Sequence, residues 1–465
     1  MKILVINSGS SSLKYTLFLM GAERCAGPDR ARPGAGDRSV PRPPFSHHGN
    51  GGEAPFPGRT ETGEAGCVDV ADPASFKARD HASEQVLFEG SIDRVGLAGS
   101  RHVFRACAGD EVVSSVDVKD HGAALDLVLA TLSAAGPNGL GDPAAVAHRI
   151  GHGGNYHDAV RIDEGVKAEI RRMTPMIPLH HPAMLKAIEE CELRMPRAVH
   201  VAVFDTSFHR HIPDKAAVYG LPFRYFAERG YRRTGFHGHS HEFVSGLAAR
   251  HLGRPIEELR IISCHLGNGA SLCAIDRGRS VDTTLGMTAV EGLIMGTRSG
   301  DVDPGLIPVI MKEDGLTPDG LLQMLYHESG LKAISGISPD MREVEQAAAA
   351  GNTRAVLALE AFCYRVKRAV GSMLMVLGGC DVLIFTGGIG CNSSTVRQKV
   401  LEGAEGLGFV LNSEANLSAR ATEASPVVQI SAAASPTRVL AIRTFEELIM
   451  ARQCLRVVEG KGFGP

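Results

Sequence analysis

Two arginines of this chain sit among residues too small to shield them. Arg149 lies in Ala147-His-Arg-Ile-Gly-His-Gly-Gly, and Arg298 in Met295-Gly-Thr-Arg-Ser-Gly-Asp-Val-Asp-Pro. Small neighbours let an anion approach a guanidinium closely, which suits bidentate contact with carboxylate or phosphate. The structural alternative is an Arg–Asp pair, for which Asp301 and Asp303 are at hand. Histidines gather at His180-His181 and in Phe236-His-Gly-His-Ser-His, as His237, His239 and His241. His237 and His241 share a helical face and would suit zinc. No HExxH motif accompanies them, and core or capping histidines are the commoner outcome.

Three Gly-rich turns each follow an apolar run directly: Ser8-Gly-Ser-Ser-Ser, Gly267-Asn-Gly and Gly387-Gly-Ile-Gly. Such turns leave backbone N–H groups free to cradle phosphate oxygens, and Lys14 stands close behind the first. One turn of this kind is explained by sterics alone; three on one chain point to a nucleotide. The site is neither a P-loop nor a Rossmann site. The only Gly-Lys pair, Gly460-Lys461, is followed by Gly462, and no GxGxxG opens a helix.

The elements that must hold these groups show in the apolar patterning. Lys2-Ile-Leu-Val-Ile-Asn-Ser-Gly-Ser-Ser-Ser-Leu-Lys-Tyr-Thr-Leu-Phe reads as strand, small-residue turn, strand. Leu259-Arg-Ile-Ile-Ser-Cys-His-Leu-Gly-Asn-Gly-Ala-Ser-Leu-Cys-Ala-Ile-Asp repeats that grammar, which predicts two halves of similar fold. A third unit, Asp381-Val-Leu-Ile-Phe-Thr-Gly-Gly-Ile-Gly, precedes a polar helix start at Asn392-Ser-Ser-Thr-Val-Arg. The run from Thr353 to Leu377 has helical spacing and no proline, so it predicts a long core helix. Strands alternating with helices give an α/β fold with a nucleotide-sized cleft between the halves.

One segment stands apart. Gly21 to Thr60 holds 8 Gly and 7 Pro, with Val40 its only Val, Leu, Ile or Met. Such a stretch cannot offset its ordering entropy by burial, so residues 21–84 read as a surface insertion. The remaining composition is that of a globular enzyme: 465 residues, 44% apolar and 22% charged. A net charge of −3 gives no electrostatic reason for a nucleic-acid or membrane partner. No run reaches the ~18 apolar residues of a membrane span. Ile3 to Ile6 is too short an apolar stretch for a signal peptide, so a cytoplasmic location is expected. Ten Cys without CxxC spacing support neither a disulfide framework nor a zinc ribbon.

Seven blocks together resemble, in order, the motifs of the acetokinase family. They are Val5-Ile-Asn-Ser-Gly-Ser-Ser-Ser-Leu-Lys-Tyr, Ala202-Val-Phe-Asp-Thr-Ser-Phe-His, Gly235-Phe-His-Gly, Cys264-His-Leu-Gly-Asn-Gly-Ala-Ser, Gly292-Leu-Ile-Met-Gly-Thr-Arg-Ser-Gly-Asp-Val-Asp-Pro, Ser335-Gly-Ile-Ser-Pro-Asp-Met-Arg and Phe385-Thr-Gly-Gly-Ile-Gly. The resemblance covers nearly everything outside 21–84. It implies the duplicated, RNase H-like two-domain fold shared by actin, sugar kinases and chaperone ATPases. Residues 1–205, completed by 444–465, would form one domain, and 206–443 the nucleotide-binding one. It also implies a homodimer that moves phosphate reversibly and in line between ATP and acetate, giving ADP and acetyl phosphate. The competing readings are a propionate or butyrate kinase of the same family, and a catalytically weak nucleotide sensor.

Carried over by motif, the resemblance places Asp205, His237 and Arg298 at the transferring phosphoryl group with His180 nearby. Arg149 would hold the acyl carboxylate, and Gly151, Leu179, Phe236 and Ala289 would line the acyl pocket. Lys14, the turn His265, Leu266, Gly267, Asn268 and Gly269, the run Asp340, Met341 and Arg342, and Gly388, Ile389, Gly390, Cys391 and Asn392 would hold the nucleotide. Asn7 and Glu446 would hold Mg²⁺ (or Mn²⁺). A carboxylate with a pKa near 4.3 is ionised at neutral pH and needs no general base, so Asp205 would orient the metal's water rather than take a proton. What remains is positioning and charge neutralisation. The chain departs from the family at Cys391, His181, His239 and Phe445, where the family has Glu, Asn, Thr and a polar residue. Gly151 and Ala289 replace a valine and a proline, which predicts relaxed acyl specificity unless His181 or His239 refills the space.

Overall fold

The computed structural model describes residues 1–9, 11–21, 84–106, 109–134, 141, 143–178 and 180–462. Apart from its two end residues, the expected insertion at 21–84 lies outside the described residues, as does Leu179. The first sheet is built from β1 (Lys2–Ser8), β2 (Ser12–Met20), β3 (Glu84–Asp93), β4 (Ser100–Ala106), β5 (Glu111–Val116), β6 (Ala145–Ile150), β7 (Val160–Arg161) and β8 (Val199–Phe204). The second holds β9 (Arg260–Leu266), β10 (Ala270–Asp276), β11 (Arg279–Thr283), β12 (Val382–Thr386), β13 (Val427–Gln429) and β14 (Arg438–Ile442).

Their orders coincide. The first sheet runs β5-β4-β3-β2-β1-β6-β8-β7 and the second β11-β10-β9-β12-β14-β13. With β4 and β5 set aside as an extension at one edge, the two are the same six-strand pattern. The first three strands form an antiparallel meander, the next two run parallel to the first, and a short antiparallel strand closes the far edge. The expected duplicated α/β fold is therefore present, and the two strand–turn–strand segments read from the sequence occupy equivalent places in it. Central strands are apolar on both faces because both faces are covered: Ile3, Leu4, Val5 and Ile6 are at most 1% exposed.

Helices α1 (His121–Ala134) and α2 (His181–Arg194) cover the outer face of the first sheet, meeting Leu4, Leu17 and Val146 through Leu125, Val128 and Cys191. The helix that ends the first repeat, α3 (Gly238–Leu252), does not return to its own sheet. It packs on β9, β12, β13 and β14 of the second. The long helix α4 (Thr353–Leu377) has the bounds expected from the sequence, with Asn352 capping its start and Gly378 its end. Beyond β12 comes the short helix α5 (Gly387–Asn392). The helix that ends the second repeat, α6 (Glu446–Val458), crosses back to β1, β2, β6 and β8.

Each repeat thus lends its last helix to the other sheet. One buried cluster joins Val5 and Val201 to Val244 and Leu247 of α3, Ile261 and Ile384, and Leu448 and Met450 of α6. Each such side chain contributes about 1.5–3 kcal/mol of burial, so neither sheet has a complete core without the other repeat. The exchange also aims the chemistry. The C-terminal ends of β1, β6 and β8 and of β9 and β12 carry Asn7, Arg149, Asp205, His265 and Gly387, and the first turns of α3 and α6 begin beside them. Ligands of open α/β sheets bind at that end of the strands. Among the described residues no helix is long and apolar enough to cross a membrane.

Candidate active site

Asp205 follows β8 directly and is 3% exposed. Its backbone N–H donates to Ile150 O (2.9 Å), fixing it beside the end of β6, where Arg149 projects. Arg149 Nη2 donates to Asp205 Oδ2 at 3.0 Å and lies 3.3 Å from Glu446 Oε2, at the first residue of α6. The same Oδ2 accepts from the His237 backbone N–H at 2.9 Å, and Asp205 O accepts from Gly238 N–H at 3.0 Å. Burial would raise the pKa of Asp205, but Arg149 and His239 outweigh it and hold the carboxyl well below its ordinary value. Burial likewise opposes charge on Arg149, and Asp205 and Glu446 overcome it.

His237 has left-handed backbone (φ 57°), uncommon for a side-chain-bearing residue and a form of strain that clusters at functional sites. Its ring stacks on that of His265 with centroids 4.2 Å apart. His237 Nδ1 lies 2.8 Å from Ser271 Oγ, which also lies 2.9 Å from His241 Nε2; His241 Nδ1 lies 2.9 Å from Ser263 Oγ. One proton assignment leaves a hydrogen on His237 Nε2. Ser263 donates to His241, His241 Nε2–H to Ser271, and Ser271 to His237 Nδ1. Burial, then the neighbouring imidazole of His265, keeps His237 well below its ordinary pKa, so the ring is neutral. Ser263 and Ser271 take both ring nitrogens of His241, so His237 and His241 do not offer zinc a shared pair of ligands. Among the described residues no group of three or more His, Cys, Asp or Glu is arranged to hold a metal. Ser263 and Ser271 were not singled out from sequence, although Ser271 ends one of the matched blocks.

Arg298 has no carboxylate partner among the described residues. Its Nη1 donates to Ala289 O at 3.1 Å and its guanidinium lies 5.8 Å from the centre of the Tyr326 ring. Asp301 and Asp303, the structural alternative, instead accept from Gly292 N–H (2.8 Å) and Gly305 N–H (2.9 Å). Burial lowers the pKa of Arg298. A Cβ added at Gly269 would lie 3.2 Å from His237 Nε2 and 3.7 Å from Arg298 Nη1, so His237 and Arg298 converge over a bare backbone. His180 stands within the fields of Arg298, Arg149 and Asp205. Burial, then the two arginines, push it down to about 4.

The glycine turns meet as well. Gly267 N–H donates to Gly269 O (2.9 Å), Gly296 N–H to Asn268 O (3.0 Å), and a Cβ at Gly267 would lie 3.9 Å from Gly388 N. Gly387 (φ 77°) crosses so close to Leu266 that a Cβ would lie 2.6 Å from its carbonyl oxygen. Asn268, Gly388, Asn392 and Arg342 are exposed, whereas Leu266 and Met341 are buried and offer only backbone. The Cys391 thiol donates to Ile442 O at 3.0 Å, in the core, so the departure from Glu turns a side chain inward. Arg397, missed from sequence, is fully buried and donates to Gly390 O (2.9 Å) and Cys391 O (2.8 Å), bracing α5 from beneath. Lys14 faces Asn7 across the β1–β2 ladder.

Asn7 at the end of β1, Glu446 at the start of α6 and Asp205 after β8 are the oxygen donors at this end of the first sheet. Asp205 Oδ1 is buried and has no hydrogen-bond partner, being 3.3 Å from His239 Nδ1 without hydrogen-bond alignment. Such a set fits Mg²⁺, which keeps most of its water. Phe445 packs against Phe18 and Phe243, with ring centroids 5.7 and 6.4 Å apart, and so points away from Glu446.

The space beside Gly151 is bordered by Ile177 and His181. A Cβ at Gly151 would meet Ile177 Cγ2 at 3.3 Å and His181 Nε2 at 3.6 Å, so the γ-carbons of a valine would collide with the His181 ring. That ring is fully buried and fixed at both ends. Nδ1–H donates to Ile170 O (3.0 Å), and Nε2 accepts from His152 N–H (3.2 Å). His181 refills what Gly151 vacates. Phe236 and Ala289 lie together with Ile177 in one buried cluster.

The sequence profile of the acetokinase family matches residues 72–452 of this chain. The chain is 39% identical over 463 residues to an acetate kinase of Halothermothrix orenii, spanning 99% of this chain and all of that one. It is similar to the crystal structure of Porphyromonas gingivalis acetate kinase (TM-score 0.76, 34% identity, 98% and 99% coverage). It is similar also to that of a propionate kinase from Francisella tularensis (TM-score 0.78, 29% identity, 98% and 99% coverage).

Two outcomes follow from the histidines. Ser271→Ala removes the hydroxyl that sets the His237 tautomer. Turnover should fall about tenfold to a hundredfold with KM values nearly unchanged, and an unchanged kcat would refute the relay. His180, His181 and His209 are held at about 4 and His152 at about 3, each chiefly by burial. A histidine depressed in the fold binds its proton more readily when unfolded, so stability is full above about pH 7 and is lost as pH falls below about 6.5. Each adds up to about 1.4 kcal/mol per pH unit. Urea midpoints should drop steeply between pH 7 and 5; a flat profile would show that these rings are accessible to protons in the native state.

Proposed function

The chain belongs to the acetokinase family, and from that membership we infer that the groups around Asp205 are its catalytic centre. The activity is that of an acetate kinase, a reversible transfer of the ATP γ-phosphate to a carboxylate acceptor, acetate. The observation that carries the site reading is the half-buried guanidinium of Arg298, which has no carboxylate partner among the described residues and turns with His237 toward an unobstructed glycine.

Acetate arrives ionised and needs no base. Of the five N–H donors of Arg149, the two on Nη2 are those set against carboxylates among the described residues, which leaves the other three for the acceptor. Neutral His180 and His237 can each donate without adding positive charge beside the arginines. Arg298 and the His237 Nε2–H stabilise the transferring phosphoryl group as its charge spreads over three oxygens. The backbone at Gly267–Gly269 and Gly388–Asn392 receives the nucleotide, with Asp340 and Arg342 at its edge and Lys14 near its phosphates. Mg²⁺, held by Asn7 and Glu446 with Asp205 toward its water, neutralises phosphate charge when bound. The same reading takes 1–205 with 444–465 and 206–443 as the two domains, supported by the return of α6 to the first sheet. It also takes the enzyme as a cytoplasmic homodimer, supported by exposed Leu357, Tyr364 and Met375 along α4.

For the acyl group we propose acetate over propionate, because His181 closes the wall that Gly151 would open. His181→Asn should raise the relative efficiency on propionate about fourfold, the worth of one buried methylene. Adding Gly151→Val to it should restore the native preference. Gly151→Val alone should be overpacked by about 1–3 kcal/mol. Equal use of propionate and acetate by the native enzyme would overturn this. The catalytic reading is tested by Arg298→Ala in a hydroxylamine trap for acyl phosphate, with ATP, Mg²⁺ and acetate. Turnover should fall at least ~10²-fold with little change in melting temperature, since no internal ion pair is broken. Full turnover with a lowered melting temperature would make Arg298 structural.

A further inference from the structure

The loop that delivers Arg298 has little backbone structure of its own. Residues 284–305 form no helix or strand. Among the described residues one backbone-to-backbone bond, Gly235 N–H to Gly286 O at 3.1 Å, reaches residues 285–291. Yet Ala289, inside that stretch, is where Arg298 Nη1 donates, at 3.1 Å. A group aimed at a reacting atom must be held to within about 0.5 Å by what supports it. Side chains supply that support here.

Three of them, outside the proposed catalytic group, close a ring on the loop. Glu291 Oε1 accepts from Arg233 Nη2 at 2.6 Å, and Glu291 Oε2 accepts from the Tyr219 hydroxyl at 2.7 Å. Tyr219 Oη in turn accepts from Met287 N–H at 2.9 Å, and Arg233 Nη1 donates to Thr283 O at 2.9 Å, where β11 ends. Both oxygens of one carboxylate are thereby engaged, and the loop is pinned at its start, at Met287 and at Glu291 itself. Burial, and then the Glu291 carboxylate, raise the pKa of Tyr219, so its hydroxyl keeps the proton it donates. Gly286 makes the room: a Cβ there would overlap Glu291 Oε2 and lie 2.6 Å from the Tyr219 oxygen. Arg233 also stands four residues before His237, so the ring joins the segment that delivers His237 to the loop that delivers Arg298. The side chains of Arg233 and Glu291 are 22% and 26% exposed, and an ion pair so placed adds little stability. Position is what it supplies.

We propose that Glu291, held between Arg233 and Tyr219, is a positioning residue for phosphoryl transfer. It fixes Ala289 O, and through it the guanidinium of Arg298, relative to His237. The proposal rests on the reading of Arg298 and His237 as the groups that meet the phosphoryl oxygens. Its test compares Glu291→Gln, Arg298→Ala and the double variant of the full chain in the hydroxylamine trap, with ATP, Mg²⁺ and acetate. Melting temperatures are read alongside.

Glutamine keeps the length of the side chain but loses its charge and one of its two acceptor oxygens. In Glu291→Gln kcat should fall about tenfold to a hundredfold, while KM for ATP stays within about twofold, because the glycine turns lie outside the ring. On the Arg298→Ala background the same substitution should lower kcat by no more than about twofold, since the group it places is gone. A merely structural Glu291 would lower the melting temperature and multiply both losses. An unchanged kcat in Glu291→Gln, or a loss that multiplies fully with that of Arg298→Ala, overturns the proposal and leaves the reading of Arg298 intact. Full turnover of Arg298→Ala alone would remove that reading, and the proposal with it. Should Glu291→Gln fold poorly, Tyr219→Phe, which loses only the hydroxyl, takes its place in the same cycle with the same deciding outcomes.

Discussion

The carboxylate of Asp205 is the point on which the rest of the arrangement turns. One of its oxygens receives both Arg149 from β6 and the backbone of His237 at the start of α3, while Arg149 reaches on to Glu446 at the start of α6. Two parallel strands of the first sheet and both exchanged helices are thus indexed to one buried charge. Taking that charge and its partner out of water costs several kcal/mol, and the attraction between them roughly offsets it. The pair therefore adds little net stability; it fixes where things are. Removing Arg149 would leave the Asp205 carboxylate buried without its arginine, whereas removing Asp205 would leave Arg149 to Glu446 alone.

The electrostatics of the site separate two kinds of donor. Arginines supply fixed positive charge, and of the two only Arg298 lacks a carboxylate partner among the described residues. The histidines around them are held neutral by burial and by the arginines themselves, so they donate hydrogen bonds without adding to the repulsion. An anion entering the cleft finds its charge met at Arg298 and its orientation set by neutral rings, of which His237 rests against Ser271.

Much of this was legible in the sequence where the determining contacts are local. The hairpin after Lys2 and its echo after Leu259, the Gly267–Gly269 turn, and the helix from Thr353 to Leu377 follow from short-range patterning and sit as expected, whereas Gly387-Gly-Ile-Gly, read as a turn before a helix start at Asn392, is itself the start of α5. What escaped depends on partners far apart in the chain. Ser271 is thirty-four residues from His237, and nothing in its neighbourhood marks it as setting a tautomer. Arg397 looks like any helix-surface arginine until Asn416 and the carbonyls of Gly390 and Cys391 close around it. At Gly151 the sequence offered two outcomes, added space or a refilling His181, and only the placement of that ring thirty residues on decides between them. Arg298 could have paired with Asp301 or Asp303, and only the turn geometry that gives those carboxylates to Gly292 and Gly305 decides otherwise.

The helix exchange has a consequence for how the chain comes to be folded in a cell. The face of β1 that α6 covers is synthesised roughly 440 residues before α6 itself. At about 5–20 residues per second, that interval is roughly 20 to 90 s of translation. Throughout it the nascent first sheet carries an uncovered apolar face that α3, sent to the other sheet, does not protect. The first repeat therefore cannot reach its final state as it leaves the ribosome, and early termination within the second repeat would release a sheet already committed to a partner that never arrives. Chaperone dependence during synthesis, rather than any weakness of the finished core, is the expected signature of this architecture.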